Sequence, residues 1–404
     1  MPKGIKPDDD DDFEDVEEGE EEMEEEEEEE DCTVNNPDVV QKYKFAAGFA
    51  QKALTDVVAA CVPGAKILDL CVLGDTVVLN ETAKVYNKGS GEEKIEKGIA
   101  FPTSVSVNQV VCHFSPNEED AKDLAPLAVG DVVKIDLGCQ IDGYCAVVAH
   151  TLVVGQVATG RVADVITAAQ TALDIAVRAL RPGTKGPEIT EIIEKVAADF
   201  GVVPVEGVLS HRLSRYIIDG SNVIPDKDFP EGKVREVEIN GNEVWGLDIV
   251  LSTGPGKLRT REQRPMIFKR TLDGNYQLKL QASREVYNEI NKKFQTFPFA
   301  LRHLDQKRGR IGIQECLSHD VVVPYPVLYE KEGETVAHVK ATVLVLATKI
   351  EQITGLPLDA SQVKSELVLK EPSVLAWKQR SLALKKKNKG KKKAAKAAGG
   401  EATK

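Results

Sequence analysis

The segment KIDLGCQIDGYCAVVAHT, residues 134–151, constrains the fold of this chain more than any other stretch. Apolar residues alternate with polar ones before Asp142-Gly143, a pair typical of tight β-turns, and an apolar run follows the pair. The sequence therefore predicts a β-hairpin with a buried face. Asp136 lies in the middle of the first strand, where a carboxylate costs several kcal/mol unless it is paired or binds a metal. We expect Asp136 to have such a partner.

Hydrophobic patterns on both sides of the hairpin predict a mixed α+β fold with an antiparallel sheet. Helical spacing occurs in VVQKYKFAAGFAQKALTDVVAAC, KILDLCVLGDTVVLNETAKVYN, ADVITAAQTALDIAVRAL and PEITEIIEKVAADF, and in SREVYNEINKKFQTFPFALR, where Pro298 ends the helix. Strand patterns predict a pair in AFPTSVSVNQVVCHF, a short strand in VEGVLSHRL, a pair around EVWGLDIVLST, and late strands in VVVPYPVLYE and TVAHVKATVLVLAT.

The formal net charge of −13 is divided unevenly along the chain. Residues 1–31 carry 20 acidic and 2 basic side chains, residues 378–404 carry 11 basic and 1 acidic, and the part between them has a net charge of −5. We predict a disordered acidic segment over residues 1–32, a folded domain over 33–377 and a disordered lysine-rich tail over 378–404, because such polyelectrolytes bury too little apolar surface to fold. The tail either only solvates the protein or serves as a nuclear-import signal or phosphate contact.

Residues 257–310 form a second basic region, with 14 basic and 5 acidic side chains. So many cations on an acidic body form a candidate footprint for RNA or DNA phosphates. We expect the interleaved aromatic residues to form the core of this region rather than to stack on bases. The candidate RNA- or ribosome-binding side chains of this region and the tail are Lys257, Arg259, Arg261, Arg264, Lys269, Arg270, Lys292, Lys293, Lys385, Lys386, Lys387, Lys391, Lys392 and Lys393.

Several segments together resemble a known family. KIDLG, DGY, VEGVLSH, GLDIVLSTG and AHVKATVLV are similar to the pita-bread fold of methionine aminopeptidases and creatinases, and a basic insertion at about 255–325 resembles that of the type-two methionine aminopeptidases. LSHRLSRYIIDG, the stretch from TREQRPMIFKR to YEKEGETVAHVKATVLV and the lysine-rich end are similar to the proliferation-associated, growth-factor-receptor-binding protein family. That family includes fungal proteins described as binding curved DNA. The likeness covers the chain from about residue 33 to 393.

The resemblance implies where a dinuclear metal site would lie, and such a site needs carboxylates that bridge its two cations. Asp136 and His211 stand at ligand positions, and Asp248 stands where a glutamate ligand is expected. Val147 occupies the position of the second aspartate, and Lys340 occupies that of the second glutamate. Three of the five implied ligand positions therefore keep a possible donor, and two do not.

Two further positions bear on the chemistry that the resemblance implies. His113 matches another active-site histidine of the aminopeptidases, whereas Ile218 replaces the histidine that polarises their substrate. With Val147 and Lys340 in place of carboxylates, we predict a vestigial site without catalytic residues, metal or cofactor.

Without a metal, Asp136 needs another partner. We predict a buried Asp136–Lys340–Asp248 cluster, with His211 completing its hydrogen bonds. The alternative is that Lys340 reaches solvent from the rim of an open pocket.

These observations predict a non-enzymatic, RNA- and ribosome-associated factor. The resemblance implies docking near the nascent-chain exit of the large ribosomal subunit, contact with rRNA, and roles in ribosome biogenesis or translation control in cytoplasm, nucleus and nucleolus. Other RNA and structured DNA are further candidate partners, and we expect a monomer. No apolar run of about 18 residues is present and the start of the chain is acidic, so we expect no membrane span and no secretory signal. Two alternatives stay open: an active metallo-aminopeptidase and a DNA-binding transcriptional regulator.

Overall fold

The structure, a computed structural model, describes residues 31–87, 95–228, 232–272 and 276–384, without the side chain of Gln306. The helices are α1 (Pro37–Ala60), α2 (Ile67–Thr82), α3 (Gly160–Ala179), α4 (Gly186–Asp199), α5 (Gln281–Lys293), α6 (Gln306–Ser318) and α7 (Pro372–Lys378), with a short 3-10 helix at Leu301–His303. The strands are β1 (Lys97–Val107), β2 (Val110–Cys112), β3 (Val132–Ile141), β4 (Tyr144–Val153), β5 (Ala158–Thr159), β6 (Val203–Pro204), β7 (Leu209–Leu213), β8 (Val223–Pro225), β9 (Glu243–Ser252), β10 (Arg259–Thr260), β11 (Ile267–Arg270), β12 (Phe299–Ala300), β13 (Val322–Tyr325), β14 (Leu328–Tyr329), β15 (Val336–Val345), β16 (Ile350–Gln352) and β17 (Val363–Lys364).

Two of the sequence predictions fall outside these ranges. The acidic stretch 1–30 and the tail lysines Lys385, Lys386, Lys387, Lys391, Lys392 and Lys393 are not among the described residues, so what the sequence predicts for them stays a prediction. None of the helices in the described part combines the length and the hydrophobicity needed to cross a bilayer.

A nine-stranded sheet organises the domain, in agreement with the predicted α+β class. Its strands follow the order β1-β3-β4-β15-β9-β7-β8, with β16 beside β15 and β6 beside β9, and neighbouring strands run antiparallel. The predicted hairpin is β3–β4. Its turn residues Asp142 and Gly143 have φ angles of 55° and 77°. Positive φ at both positions is the geometry that favours Asp-Gly in two-residue hairpin turns.

Helices cover the sheet through its alternating apolar side chains. Helices α1 and α2 pack on β3 through a cluster that includes Ile135 and Leu137. Helix α3, with α4 beside it, packs on β9 and β15 through another cluster that includes Ile249 and Val339. Because successive side chains of a strand point to opposite faces, the residues between these apolar ones turn away from the helices. The candidate site forms there.

The basic insertion folds around an apolar cluster of its own. Helices α5 and α6 pack together and against the small sheet β12-β11-β13. The aromatic residues predicted as core are buried or partly buried: Phe268, Tyr276, Tyr287, Phe294, Phe297 and Phe299. Helix α6 is not evident from the sequence because its two glycines weaken the helical pattern. The structure explains Gly312, since a Cβ there would lie 2.7 Å from the carbonyl oxygen of Ala282 on α5.

Three sequence predictions about boundaries and pairing are wrong. Strands β1 and β2 form, but β1 pairs with β3 and β2 pairs with β14. The pair expected around EVWGLDIVLST is the single strand β9. The packed domain also extends beyond residue 377. Leu382 and Leu384 pack against the cluster around α3, and their backbones bond to Ile350 and Thr348. Leu382 and Leu384 lie next to a run of lysines, so a boundary based on composition assigns both leucines to the tail.

Candidate functional site

Three strands bring the predicted lysine and carboxylates together. Lys340 of β15 pairs in register with Asp248 of β9, and Asp136 lies on β3. The ammonium of Lys340 is 2.9 Å from Oδ2 of Asp136 and 2.9 Å from Oδ2 of Asp248. The side chain of Lys340 is 14% exposed, and those of Asp136 and Asp248 are 4% and 18% exposed. The predicted buried cluster is therefore confirmed, and Lys340 does not extend into solvent from the rim.

Opposite charges control the protonation of this cluster. Burial alone would lower the pKa of Lys340, but the two carboxylates outweigh burial and hold that pKa above its usual value. Burial alone would raise the pKa of Asp248, but the charge of Lys340 and the hydrogen-bonded His338 hold that pKa well below its usual range. At neutral pH the site therefore contains a charged ammonium beside an ionised Asp248.

The role predicted for His211 is taken by a different histidine. Nδ1 of His211 donates a hydrogen bond to the carbonyl oxygen of Gly220 at 2.9 Å. Nε2 of His338 lies 2.6 Å from Oδ1 of Asp248, and the His338 side chain is 3% exposed. His338 is not among the residues that the sequence predicts for this site. The available signal was its position two residues before Lys340 on one strand, which places both side chains on the same face.

The cluster lies at the wall of a cavity of about 210 Å³. Val147 and Ile218, which stand at positions of a ligand and a substrate-polarising histidine, both line the cavity and make it more apolar. His113 and His211 line it as well. Nδ1 of His113 donates to the carbonyl oxygen of Pro326 at 3.0 Å, and burial lowers the pKa of His113 to about 4. His113 is therefore neutral at physiological pH.

These residues do not fit the pair of divalent cations that the resemblance implies. Val147 offers only methyl groups, and its backbone N–H donates to Oγ1 of Thr342 at 2.8 Å. The ammonium of Lys340 lies between two carboxylates that would otherwise be free to bind a cation, and it would repel one. Within the described ranges, no group of three or more His, Cys, Asp and Glu side chains is arranged to hold a metal ion.

The cations predicted to bind phosphates are not all available. Lys257, Arg259, Arg261 and Arg264 are exposed on and around β10, and we call these four the β10 cations. Lys292 and Lys293 are exposed at the end of α5, where Lys293 pairs with Glu289 at 2.5 Å. Two others have internal partners: Lys269 pairs with Asp219, and Nε of Arg270 donates to the carbonyl oxygen of Gln295 at 3.0 Å. The described part of the predicted footprint is therefore smaller than the sequence indicates.

One cation of the basic region is buried and fixes the insertion to the domain. Nε of Arg302, in the 3-10 helix, donates to Oδ2 of Asp75 on α2 at 3.1 Å, and Nε2 of His303 lies 2.7 Å from the same oxygen. The side chains of Arg302 and Asp75 are 6% and 8% exposed. Burial would raise the pKa of Asp75, but Arg302 and His303 hold it well below its usual range. Arg302 is therefore a structural residue and not part of a phosphate-binding surface.

Comparisons with known proteins place this geometry in a class. The model of metallopeptidase family M24 matches residues 41–256, more than half of the chain. The solved structure of a thermophilic Arx1 superimposes with a TM-score of 0.79 at 31% identity, covering 86% of this chain and 100% of that one. A methionine aminopeptidase from Thermotoga maritima superimposes with a TM-score of 0.53 at 19% identity, covering 80% of this chain and 98% of that one, which shows a shared fold. The domain is the pita-bread fold of the M24 metallopeptidases.

A close relative narrows the class. ERBB-3 binding protein 1 from Solanum tuberosum is 45% identical over 362 residues, which are 89% of this chain and 92% of that protein. The chain belongs to the family of ERBB-3 binding protein 1 and the proliferation-associated proteins, within metallopeptidase family M24. The resemblance seen in the sequence is confirmed.

Proposed function

We propose that this protein is a non-enzymatic factor that binds RNA and docks on the large ribosomal subunit near the nascent-chain exit. The observation that carries the non-enzymatic part is the position of Lys340, whose ammonium holds Asp136 and Asp248 together by two ion pairs of 2.9 Å. A hydrolase of this fold needs those carboxylates for metal ions. In this chain they are engaged by a side chain instead.

An implication of the family resemblance and an observation on the surface support the ribosomal part of the proposal. Aminopeptidases of this fold act on chains that leave the ribosome. The resemblance therefore implies that a relative of the same shape can dock near the nascent-chain exit without catalysing a reaction. The β10 cations, with Lys292 and Lys293, present positive charge to solvent on a domain of net negative charge, which suits rRNA phosphates. In this proposal the protein acts as a monomer in ribosome biogenesis or translation control, in cytoplasm, nucleus and nucleolus.

Sedimentation of a cell extract on a sucrose gradient tests the ribosomal part. We expect the protein to travel with large ribosomal subunits at low salt and to leave them as salt rises. Protein that stays at the top of a low-salt gradient would contradict the proposal. Competition between structured rRNA and duplex DNA at the same salt concentration separates it from the DNA-binding alternative, which requires the duplex to compete at least as well.

The non-enzymatic part makes its own prediction. The purified protein is expected to release no methionine from Met-peptides, with or without added cobalt or manganese, and to retain no stoichiometric pair of metal ions. The reason is the lack of carboxylates at Val147 and Lys340. A peptide-release assay with an active methionine aminopeptidase as control, and elemental analysis of the protein, check both statements. Turnover that Asp136→Ala abolishes would show that the site is catalytic.

A further inference from the structure

We propose that Arg261 and Tyr329 form a stacking site for an unpaired RNA base. Cζ of Arg261 lies 4.7 Å from the centroid of the Tyr329 ring. Tyr329 is only 7% exposed, whereas Arg261 is exposed. The tyrosine ring therefore lies beneath the exposed guanidinium group, whose solvent side is available to a ligand.

The strand pairing holds this stack in place. Arg259 and Thr260 of β10 pair with Tyr329 and Leu328 of β14, and β14 pairs in turn with β2. The Tyr329 ring belongs to the apolar cluster under α1 and α2. An arginine that already rests on a fixed ring loses less conformational freedom on binding than one that moves freely in solvent. The geometry is therefore preorganised for a flat ligand.

The concavity beside the stack suits a base better than a phosphate. It has a volume of about 540 Å³, and its lining is polar apart from the ring of Tyr329: Asp120, Arg261, Glu262, Gln263 and Arg264. The two carboxylates would repel a phosphate group. They can instead accept hydrogen bonds from the amino and imino groups at the edge of a base, while Gln263 can donate or accept.

Within the proposed RNA binding, unpaired bases are the ligand that this site suits. Unpaired bases stack on aromatic rings and on arginine guanidinium planes, whereas the bases of a duplex are covered by their neighbours. The inference rests on the proposed RNA binding and adds a preference to it: loops, bulges and single-stranded ends over duplex. The remaining β10 cations would then hold the phosphates on either side of the base.

Replacing Arg261 by lysine tests this inference, because lysine keeps the positive charge but lacks the planar guanidinium group. We compare Arg261→Lys with Arg308→Lys, a control at an exposed arginine of α6 that pairs with Glu285 at 3.1 Å and lies outside the proposed surface. The probes are a short RNA hairpin with a loop of unpaired purines and a blunt duplex of the same stem, with binding measured by fluorescence anisotropy. A 2-aminopurine in the loop reports stacking directly through its fluorescence.

Arg261→Lys is expected to weaken hairpin binding about fivefold or more, the lower end of the effect of losing one stacked base. Its duplex affinity and salt dependence should match the parent, and Arg308→Lys should change neither. Equal losses for hairpin and duplex, or no loss for either, would overturn the stacking site while leaving RNA binding in place. A parent protein that binds neither probe would overturn the proposed function together with the inference, so the two failures are distinguishable.

Discussion

Replacing Lys340 by methionine is expected to lower the free energy of unfolding by about 3–5 kcal/mol, the usual cost of leaving a buried charge without its partner. The methionine keeps most of the side-chain volume, so the loss reports charge rather than packing. Asp136 and Asp248 would remain buried within a few ångströms of each other, since both now lie 2.9 Å from one nitrogen. Urea or thermal unfolding of the two proteins at neutral pH measures the difference.

A matched control and a rescue sharpen this measurement. Lys331→Met changes an exposed lysine of the same part of the chain, and we expect it to shift stability by no more than a few tenths of a kcal/mol. Adding Asp136→Asn and Asp248→Asn to Lys340→Met should recover part of the loss, because neutral side chains no longer repel. If Lys340→Met melts within a degree or two of the parent, the ion pairs contribute nothing to folding.

The same cluster predicts a pH dependence with a defined sign. The pKa of Asp248 is depressed in the folded protein. Its contribution to stability is therefore complete above a pH of about 3.9, the pKa of an unfolded aspartate, and is lost as the pH falls through the pKa that Asp248 has in the folded protein. The pKa of Lys340 is raised in the folded protein. Its contribution to stability is therefore complete below a pH of about 10.4, the pKa of an unfolded lysine, and is lost as the pH rises through the pKa that Lys340 has in the folded protein. In Lys340→Met, Asp248 loses the nearby cation that depresses its pKa and keeps a carboxylate neighbour, so the pKa of Asp248 rises. The stability gap between variant and parent should therefore narrow as pH is lowered from neutral towards 4.

Reversing the charge of three β10 cations is the second large effect that we expect. In Arg259→Glu/Arg261→Glu/Arg264→Glu, the slope of log affinity for rRNA against log salt should become shallower by about 2. The phosphate contacts of Arg259 and Arg264 are lost, so fewer counterions are released on binding. At low salt the affinity should fall by at least about tenfold, since each contact contributes to binding. Filter binding between about 50 and 200 mM salt measures both quantities.

The control for this experiment uses lysines from another part of the surface. Lys364→Glu/Lys370→Glu/Lys378→Glu changes the net charge by the same amount at exposed positions of the C-terminal segment, which packs against the cluster around α3 and not against β10. If both triple variants weaken binding equally, net charge rather than a defined surface controls affinity. The tail is tested separately by deleting residues 385–404, because residues up to Leu384 are packed in the domain.

The central site could be predicted from the sequence because its residues lie on strands with a clear alternation. A charged residue among buried ones, such as Asp136 in KIDLG or Lys340 in HVKATV, must find a partner on the same face of the sheet. The likeness to a known fold then indicated which strands meet. The hydrogen bond of His338 follows the same rule, whereas the ligand positions implied by the resemblance point to His211 instead.

Contacts between distant segments could not be derived in this way. Nothing in the local pattern of Arg302 distinguishes it from the exposed cations around it, and only the fold brings it to Asp75 on α2. Likewise, Tyr329 lies far from Arg261 in the sequence, and the pairing of β10 with β14 brings them together. Whether a charged side chain is buried depends on which surfaces pack together in the fold. Local composition carries no information about that packing.

The ion pairs of Lys340 also determine which single substitutions the site tolerates. Val147→Asp alone would add a buried carboxylate next to a lysine that already serves two, at a position that is now 5% exposed. Lys340→Glu alone would leave three acidic side chains together with no cation among them. Building a metal site by single substitutions is therefore expected to pass through proteins less stable than this one. The lysine therefore makes this site costly to change one residue at a time, whereas substitutions of the exposed β10 cations carry no such cost in stability.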